Sequence, residues 1–329
     1  MTPTLPLRTV LVAGGAGFIG SHLCEALLAG GARVICLDSF LTGRRETVQP
    51  LLNNRGFSVV QAEVTEPLPD LGRLDEIYNL ASPASPPRYQ ADPVHTMMTN
   101  VIGTRNLLAL ARAQGARYLQ ASTSEVYGDP EQHPQPEDYW GHVNCTGPRA
   151  CYDEGKRAAE ALCWDHARMG TDVRVARIFN TYGPQMDPED GRIVSNLIVQ
   201  ALTGRPLTIY GSGTQTRSFC YVTDMVAGLM ALMAVDPRPE GPVNLGNPFE
   251  FTILELAEQV QALIPGALPH QTLPLPQDDP KMRRPDIARA QALLGWSPEV
   301  PLAQGLKATA DWFARHLGIE PAEAAKGRI

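Results

Sequence analysis

A tyrosine and a lysine lie four residues apart in this chain, at Tyr152 and Lys156, in a segment of helical composition. That spacing places both side chains on one face of a helix. A lysine ammonium close to a phenol favours the phenolate and lowers the pKa of the tyrosine from about 10 toward neutral pH. A phenolate can take the proton of an alcohol while a neighbouring acceptor takes a hydride. The pair therefore predicts oxidation of an alcohol beside a nicotinamide.

The stretch before this pair also carries reactive side chains. ASTSEVYG, at residues 121–128, is the end of an apolar run followed by three small hydroxyl residues and the carboxylate of Glu125. Residues 122–156 are therefore predicted to hold the chemistry of the chain, and the remaining elements to position it.

A glycine-rich loop near the start of the chain predicts where the nicotinamide cofactor binds. Residues 8–13 (RTVLVA) are an apolar run typical of a buried strand, GGAGFIG follows at residues 14–20, and an amphipathic stretch then ends at Gly30 and Gly31. Strand, glycine loop and helix in this order cradle a pyrophosphate, because glycines let the backbone approach the phosphates and the helix N-terminus offers amide donors.

A second apolar run predicts which dinucleotide binds. Residues 33–37 lead to Asp38, about 20 residues after the glycine loop, where a carboxylate accepts the ribose hydroxyls. The same carboxylate repels a 2'-phosphate, so the sequence favours NAD over NADP. Arg44 and Arg45 follow closely and keep NADP as an alternative.

Apolar runs and helical segments alternate along the first half of the chain. The next runs are residues 57–60, 76–80 and 118–121, and a long helix is predicted from Asp92 to Gly115. This alternation predicts parallel strands joined by crossover helices, an α/β doubly wound parallel sheet of the Rossmann type. Residues 81–87 (ASPASPP) follow a strand end and are predicted to form a rigid loop over the carboxyl edge, where ligands bind.

The second half of the chain differs from the first in segment length and in composition. The tyrosine helix is predicted from about residue 148 to residue 169, with a buried strand at residues 173–179. Beyond it the segments are shorter, prolines and glycines are frequent, and arginines stand singly in loops. We predict a NAD-binding domain at residues 1–180 and a smaller, mainly substrate-binding α/β domain at residues 181–329, whose chain can cross back to the sheet. TILE at residues 252–255 predicts a capping box that opens a helix.

Composition excludes several kinds of partner. The chain has 329 residues and a formal net charge of -7, whereas nucleic acids and membrane surfaces attract basic proteins. No apolar run approaches the roughly 20 residues of a membrane span. The histidines lack metal-ligand spacing, so no metal site is expected. The cysteines show no CxxC pair and lie mostly in apolar segments, which predicts reduced thiols in a cytoplasmic protein.

These motifs resemble the signature of the extended short-chain dehydrogenase/reductase superfamily. LASPASPP, ASTSEVYGDP, GPRACYDEGKR, VARIFNTYGP and VNLGNP make the chain more closely similar to the UDP-glucuronate decarboxylase (UDP-xylose synthase) family, over residues 8–316. This resemblance implies NAD held throughout the reaction cycle, a UDP-sugar substrate and a homodimer built on two helices per subunit. Ser39 and Glu63 stand where the family usually has Asn and Asp, which affects cofactor fit and not the reaction class.

The resemblance also implies a course for the reaction. Tyr152 would take the proton of the sugar 4-hydroxyl as hydride leaves carbon 4 for NAD. Thr123 would hydrogen-bond that hydroxyl, and Lys156 would lower the tyrosine pKa and hold the nicotinamide ribose. The resulting 4-ketone is a β-keto acid, which loses carbon dioxide because an enolate can take the electrons. The group that protonates carbon 5 is left open, and the residues expected to serve this decarboxylation are Ser124, Glu125 and Arg283.

Binding residues follow from the same resemblance. An arginine fork suits phosphate oxygens, so Arg217 is expected on the diphosphate. The substrate-binding residues are Glu125, Asn180, Arg192, Tyr210, Arg217 and Arg283. Glu63 and Val64 follow the third apolar run and are predicted to lie near the adenine. The expected cofactor-binding residues are Gly14, Gly17, Phe18, Ile19, Gly20, Asp38, Ser39, Phe40, Thr42, Gly43, Glu63, Val64, Leu80, Ala81, Ser82, Thr99, Ala121, Tyr152 and Lys156.

Three other functions stay open on the sequence. A UDP-sugar 4-epimerase or a nucleotide-sugar 4,6-dehydratase shares the first half of the reaction. The dehydratase needs an aspartate before the glutamate to protonate a departing hydroxyl, and this chain has Ser124 there, while the epimerase has no need of Arg283. The other alternative is a non-catalytic dinucleotide-sensing protein, a class that usually lacks the tyrosine or the lysine that are both present here.

Overall fold

The computed structural model describes residues 8–274 and 282–319 of the chain. The strands in these residues are β1 (Thr9–Ala13), β2 (Arg33–Asp38), β3 (Phe57–Gln61), β4 (Glu76–Asn79), β5 (Arg117–Thr123), β6 (Val173–Ile178), β7 (Thr181–Tyr182), β8 (Leu207–Tyr210), β9 (Thr216–Ser218), β10 (Cys220–Tyr221), β11 (Val243–Leu245), β12 (Glu250–Thr252) and β13 (His270–Leu273).

The helices connect and cover these strands. They are α1 (Phe18–Ala29), α2 (Arg45–Val48), α3 (Pro86–Ala91), α4 (Pro93–Met98), α5 (Thr104–Gln114), α6 (Ala150–Arg168), α7 (Ile193–Leu202), α8 (Val222–Ala234), α9 (Ile253–Leu263), α10 (Ala288–Leu294) and α11 (Leu302–His316). A π-helical segment, Thr99–Gly103, joins α4 to α5, and 3-10 turns lie at Gln49–Asn53 and Ser124–Tyr127.

Seven strands form one parallel sheet in the order β3-β2-β1-β4-β5-β6-β11. Residues 10–13 of β1 are fully buried, as expected where helices cover both faces of a parallel sheet. The strand order reverses between β1 and β4, so a crevice opens beyond their carboxyl ends. The predicted doubly wound Rossmann sheet is confirmed.

Most predicted elements are present, with one correction. The predicted runs form β1 to β6, and the predicted long helix is α4, the π-helical segment and α5 in direct succession. Gly115 ends it in the left-handed conformation, with φ of 67°. The expected loop over residues 81–87 is too long, because Pro86 and Pro87 begin α3. Proline suits the first turn of a helix, where its missing N–H is not needed.

Two glycines of the glycine loop occupy positions where a side chain would collide. Gly14 has a φ of +77°, and a Cβ there would lie 2.7 Å from the carbonyl carbon of Leu80. A Cβ at Gly20 would lie 2.1 Å from the carbonyl oxygen of Gly14. The loop therefore packs closely between β1 and β4 and brings the first turn of α1 to the carboxyl edge of the sheet.

The residues after β6 build a smaller layer beside the carboxyl edge. α7, α9 and α11 enclose a separate apolar core, in which Leu197 and Phe313 are fully buried. The predicted capping box of Thr252 and Glu255 opens α9. The chain also returns to the large sheet, because β11 pairs with β6 and Leu229 of α8 belongs to the core of that sheet.

Two further observations concern the described residues as a whole. None of their helices is long and apolar enough to cross a membrane. The cysteines are free thiols: Cys145 is exposed and Cys151 half-buried, while Cys24, Cys36, Cys163 and Cys220 are buried.

Candidate active site

A cleft of about 550 Å³ runs along the carboxyl edge of the sheet. One wall comes from the glycine loop, the end of β5 and α6, and the other from β8, β9 and the loop at residues 180–192. A narrower extension passes Asp38 and Glu63 and shares Gly14 and Leu80 with the main cleft. The structure thus brings the residues expected for cofactor, sugar and nucleotide to one connected cleft.

Phe40 is the exception among the expected cofactor residues, since all the others line the cleft or its extension. The backbone N–H of Phe40 donates to Asp38 Oδ1 at 2.8 Å. Its ring lies under the guanidinium of Arg45, 4.1 Å from the carbon of that group. Phe40 therefore holds Asp38 in place and is not part of the wall.

The glycine loop fits the diphosphate of a dinucleotide. Within the described residues, α1 begins without a side-chain cap and without an acidic residue in its first turn, so its first amides stay available to an anion. Asp38 Oδ2 accepts the N–H of Ala16 at 2.9 Å, and burial raises the pKa of the Asp38 carboxyl. The guanidinium of Arg44 donates to the carbonyl of Gln185 at 2.9 Å and is therefore engaged there.

Tyr152 and Lys156 lie on one buried face of α6, as their spacing predicts. The lysine Nζ is 5.7 Å from the centre of the tyrosine ring and donates to the carbonyl of Ala121 at 2.8 Å. Thr123, the last residue of β5, hydrogen-bonds the tyrosine side chain. The end of β5 and the start of α6 thus assemble one proton-transfer group.

The pKa of Tyr152 in the protein alone is raised, and the expected lowering is not found. Burial is the largest cause, and the charge of Glu125 adds to it. The hydrogen bond from Thr123 and the charge of Arg192 act in the opposite direction. Burial also lowers the pKa of Lys156 to about 8, which weakens the ammonium that was expected to favour the phenolate.

Glu125 is the centre of a buried ion-pair cluster with Arg149 and Arg283. Its Oε2 lies 2.8 Å from Nη2 of each arginine, and Arg283 also bonds Oε1. Burial works to raise the pKa of Glu125, but the charges of Arg283 and Arg149 outweigh it and hold the pKa below its usual value. Glu125 is thus paired with two guanidiniums at once. Ser124 is buried in the same 3-10 turn and lines the cleft.

The residues expected to hold UDP are brought to the opposite wall. Asn180 follows β6, and Tyr210 ends β8. Arg192 precedes α7 and pairs with Asp190, with 3.1 Å between Nη2 and Oδ1. Arg217 lies in β9, is buried, and is close enough to lower the pKa of Glu125. Asn180, Arg192, Tyr210 and Arg217 all line the cleft that also contains Tyr152.

Sequence reasoning missed three residues near Glu125. The ring of Tyr89 stacks on that of Tyr152, with centroids 5.0 Å apart and planes 7° apart. Arg149 pairs with Glu125, and Asp153, four residues later, is buried. The strings SPPRY and GPRACYDEGK contain these residues, but their spacing along the chain does not show that they meet at Glu125.

Asp153 provides a prediction about stability and pH. Burial and the charge of Glu125 raise its pKa to about 7, from about 3.9 in an unfolded chain. The folded protein therefore holds this proton more tightly, and the resulting stability is complete below about pH 4 and lost as the pH rises through about 7. Asp153→Asn cannot ionise, so at pH 8 it is expected to raise the melting temperature by about 5 °C.

The measurement is the melting temperature of parent and variant from pH 4 to pH 8, read by circular dichroism. The two curves should separate as the pH rises. Asp165→Asn, on the exposed side of the same helix, is the control and should follow the parent. Parallel curves for Asp153→Asn and the parent would show that Asp153 is ionised without cost in the folded protein.

Comparison with known proteins identifies the family. The sequence profile of the NAD dependent epimerase/dehydratase family matches residues 10–246. The chain therefore belongs to this family, and its cofactor is NAD, as predicted from Asp38.

Similar curated proteins indicate which group within that family the chain resembles. UDP-glucuronic acid decarboxylase 1 of Danio rerio is 54% identical over 311 residues, which cover 94% of this chain and 73% of the relative. UDP-glucuronic acid decarboxylase 5 of Arabidopsis thaliana is 52% identical over 312 residues, which cover 94% of this chain and 90% of the relative. The resemblance to UDP-glucuronate decarboxylases inferred from the motifs is confirmed.

A solved structure shares the fold. UDP-glucuronic acid 4-epimerase from Bacillus cereus, in complex with UDP-glucuronic acid and NAD, superimposes with a TM-score of 0.85 at 29% identity. The match covers 94% of this chain and all of the epimerase. An epimerase on the same scaffold is therefore the alternative that a functional assay has to separate.

Proposed function

We propose that this protein decarboxylates UDP-glucuronate to UDP-xylose through a 4-keto intermediate. Support comes from the relatives, whose names carry this activity. The observation that carries the proposal is the ion pair of Glu125 and Arg283, which lines the same cleft as Tyr152. The cluster is close enough to act on the pKa of Tyr152, so a sugar carboxylate can be held beside the group that acts on carbon 4.

The first half of the reaction removes a proton and a hydride at carbon 4. Tyr152 takes the proton of the 4-hydroxyl, and Thr123 hydrogen-bonds the same oxygen and fixes its direction. Lys156, tied to the carbonyl of Ala121, holds the nicotinamide ribose. NAD supplies the hydride acceptor here and the hydride donor at the end, and its positive charge favours the Tyr152 phenolate that burial disfavours.

The second half begins with a 4-ketone next to a carboxylate. Such a β-keto acid loses carbon dioxide because the ketone accepts the electrons as an enolate. Arg283 faces the carboxylate and stabilises the negative charge that then develops. Glu125 fixes the direction of the Arg283 guanidinium through two hydrogen bonds, and Ser124 donates to the sugar from the same turn. Because Glu125 is ionised, its role is to position and not to supply a proton.

The nucleotides lie on opposite sides of this centre. UDP extends along Asn180 and Tyr210, with Arg192 and Arg217 on the diphosphate, so residues 181–319 supply most of the substrate contacts. The dinucleotide diphosphate lies on Gly14, Gly17 and the first turn of α1, and its adenine lies near Glu63 and Val64.

Cofactor choice gives a direct prediction. The carboxylate of Asp38 would face a 2'-phosphate, and Arg44 is engaged with the carbonyl of Gln185. Protein purified without added nucleotide and then denatured should therefore release mainly NAD. Chromatography against NAD and NADP standards identifies the released compound. Release of mainly NADP would show that Arg44 or Arg45 turns to the ribose and binds the 2'-phosphate despite the charge of Asp38.

We also infer that the protein is a homodimer in the cytoplasm. α4 presents Val94 and Met98, which are four residues apart and 70% and 41% exposed, as an apolar face that a second subunit would cover. The family resemblance implies an interface built on two helices per subunit. For the location, the buried free thiols fit the reducing environment of the cytoplasm. The mass in solution, measured by light scattering, tests the dimer.

Incubation with UDP-glucuronate tests the proposed function. The expected products are carbon dioxide and a UDP-sugar whose mass is lower by the mass of carbon dioxide, identified by mass spectrometry and NMR as UDP-xylose. A product with unchanged mass and inverted carbon 4 would identify an epimerase. Tightly bound NAD without turnover on any UDP-sugar would favour a dinucleotide-sensing protein.

A further inference from the structure

The proposed reaction consumes one proton that Tyr152 does not supply. Tyr152 takes a proton from the 4-hydroxyl at the start and returns it to the same oxygen at the end. The enolate left by carbon dioxide needs a second proton, at carbon 5. A further donor must therefore reach the sugar from the wall of the cleft or from water.

Several groups around the sugar are poor sources of this proton. Glu125 is ionised, because the charges of Arg283 and Arg149 lower its pKa. The guanidiniums of Arg149 and Arg283 donate to the Glu125 carboxylate, so their protons are engaged in that ion pair. The Lys156 ammonium donates to the carbonyl of Ala121 at 2.8 Å, on the side of the cleft assigned to the ribose.

Tyr89 is placed differently. It lines the cleft from α3 and is 1% exposed. Its ring lies parallel to the Tyr152 ring, with 5.0 Å between centroids. Its carbonyl oxygen accepts hydrogen bonds from Thr96 Oγ1 at 3.1 Å and Cys151 Sγ at 3.6 Å, which fix the backbone. The stacked rings place the Tyr89 side chain directly beside the group that acts on carbon 4.

The hydroxyl of Tyr89 is buried and finds no hydrogen-bond partner in residues 8–274 and 282–319. Buried polar atoms in native proteins are nearly always hydrogen-bonded, so a partner is expected to arrive with a ligand. Burial raises the pKa of Tyr89, which keeps its proton in place at any working pH. The charge of Arg149 acts in the opposite direction and favours the phenolate once the proton has left.

We propose that Tyr89 is the catalytic acid of the second half-reaction, giving its hydroxyl proton to carbon 5 of the enolate. The O–H bond of Tyr89 breaks, the electron pair of the enolate double bond forms the new C–H bond, and the carbonyl at carbon 4 forms again. An enolate carbon is a much stronger base than a phenolate, so the transfer is favourable. The Tyr89 phenolate regains a proton from solvent before the next cycle. This inference rests on the proposed decarboxylation.

Tyr89→Phe tests the inference, because it keeps the stacked ring and removes only the hydroxyl. With UDP-glucuronate in deuterium oxide, the parent is expected to place one deuterium on a single face of carbon 5 of UDP-xylose, seen by NMR. The variant is expected to release carbon dioxide but to protonate carbon 5 about a hundredfold more slowly, the usual scale for a lost general acid. The solvent then protonates carbon 5 from either face of the enolate, and deuterium appears in both positions on carbon 5.

Tyr182→Phe is the matched control. It removes a buried phenol outside the cleft, whose hydroxyl lies 3.3 Å from the carbonyl oxygen of Leu302, and should leave the label on one face. Parent-like rate and facial selectivity in Tyr89→Phe would overturn the proposal and point to an ordered water. If Tyr89→Phe does not fold, 3-fluorotyrosine at position 89 replaces it: the more acidic phenol should change the rate of protonation, and an unchanged rate overturns the proposal. A parent that releases no carbon dioxide refutes the proposed function instead.

Discussion

Replacing Tyr152 with phenylalanine is expected to lower turnover of UDP-glucuronate by about a hundred- to ten-thousand-fold, the usual range for a lost acid-base group. The ring remains and can still stack on Tyr89, so the walls of the cleft should persist. The hydroxyl is the group placed to take the carbon 4 proton and is hydrogen-bonded to Thr123. The loss should therefore appear in the chemical step and not in the fold.

Three readouts on the same preparation separate these effects. Product formation gives turnover, the melting temperature reports the fold, and the dinucleotide released on denaturation reports the cofactor site. The variant should match the parent in the last two. Turnover within about tenfold of the parent, with normal melting, would rule out Tyr152 as the base.

Changes at Glu125 and Arg283 are expected to separate oxidation from decarboxylation. Arg283→Ala removes the cation that faces the substrate carboxylate, and Glu125→Gln leaves Arg283 and Arg149 without the carboxylate that aligns them. Carbon dioxide release should fall by about a hundredfold or more, the scale of a positioned electrostatic group. Oxidation at carbon 4 depends on Tyr152 and Lys156, so the ketone and the reduced cofactor should still form. Both signals are to be followed in one single-turnover sample.

The chain contains a matched control for this pair. Glu160 and Arg177 form a second bidentate ion pair, with distances of 3.0 and 2.8 Å and side chains about as buried. This pair does not belong to the lining of the cleft. Removing one partner of either pair costs stability, because it leaves the other charge unpaired. Glu160→Gln should therefore lower the melting temperature as Glu125→Gln does, without separating carbon dioxide release from oxidation.

Two results would contradict these roles. Decarboxylation at the parent rate in both variants would show that the cluster does not act on carbon 5. Failure of both variants to bind UDP would show that the cluster serves binding alone. In either case the results would favour a UDP-sugar 4-epimerase over a decarboxylase.

The parts of the fold that depend on neighbouring residues could be predicted from the sequence. Apolar runs predicted six of the seven sheet strands, all except β11. GGAGFIG and Asp38 predicted the dinucleotide cleft, and the spacing of Tyr152 and Lys156 predicted one helix face. These patterns are local, since each fixes a backbone geometry within a few residues. The long helix was also predictable from its terminal proline and glycine, although the π-helical segment within it left no sequence signal.

Features that depend on contacts between distant residues could not be predicted. Glu125 and Arg283 are 158 positions apart, and only the folded chain shows that they pair. Tyr89 reaches Tyr152 because α3 folds back over the carboxyl edge, where a loop was expected. The direction of the Tyr152 pKa also escaped prediction, because burial is its largest cause and burial is a property of the whole fold.

Isotope retention at carbon 4 tests the central claim most directly. UDP-glucuronate carrying deuterium on carbon 4 is converted by the protein with its bound cofactor, and the UDP-xylose is examined by NMR. If carbon 4 is oxidised and reduced within one closed cycle, the deuterium removed at the start returns to the same carbon, and nearly all product should carry it. UDP-xylose without the label would show that the hydride leaves the site, and an absence of UDP-xylose would contradict decarboxylation itself.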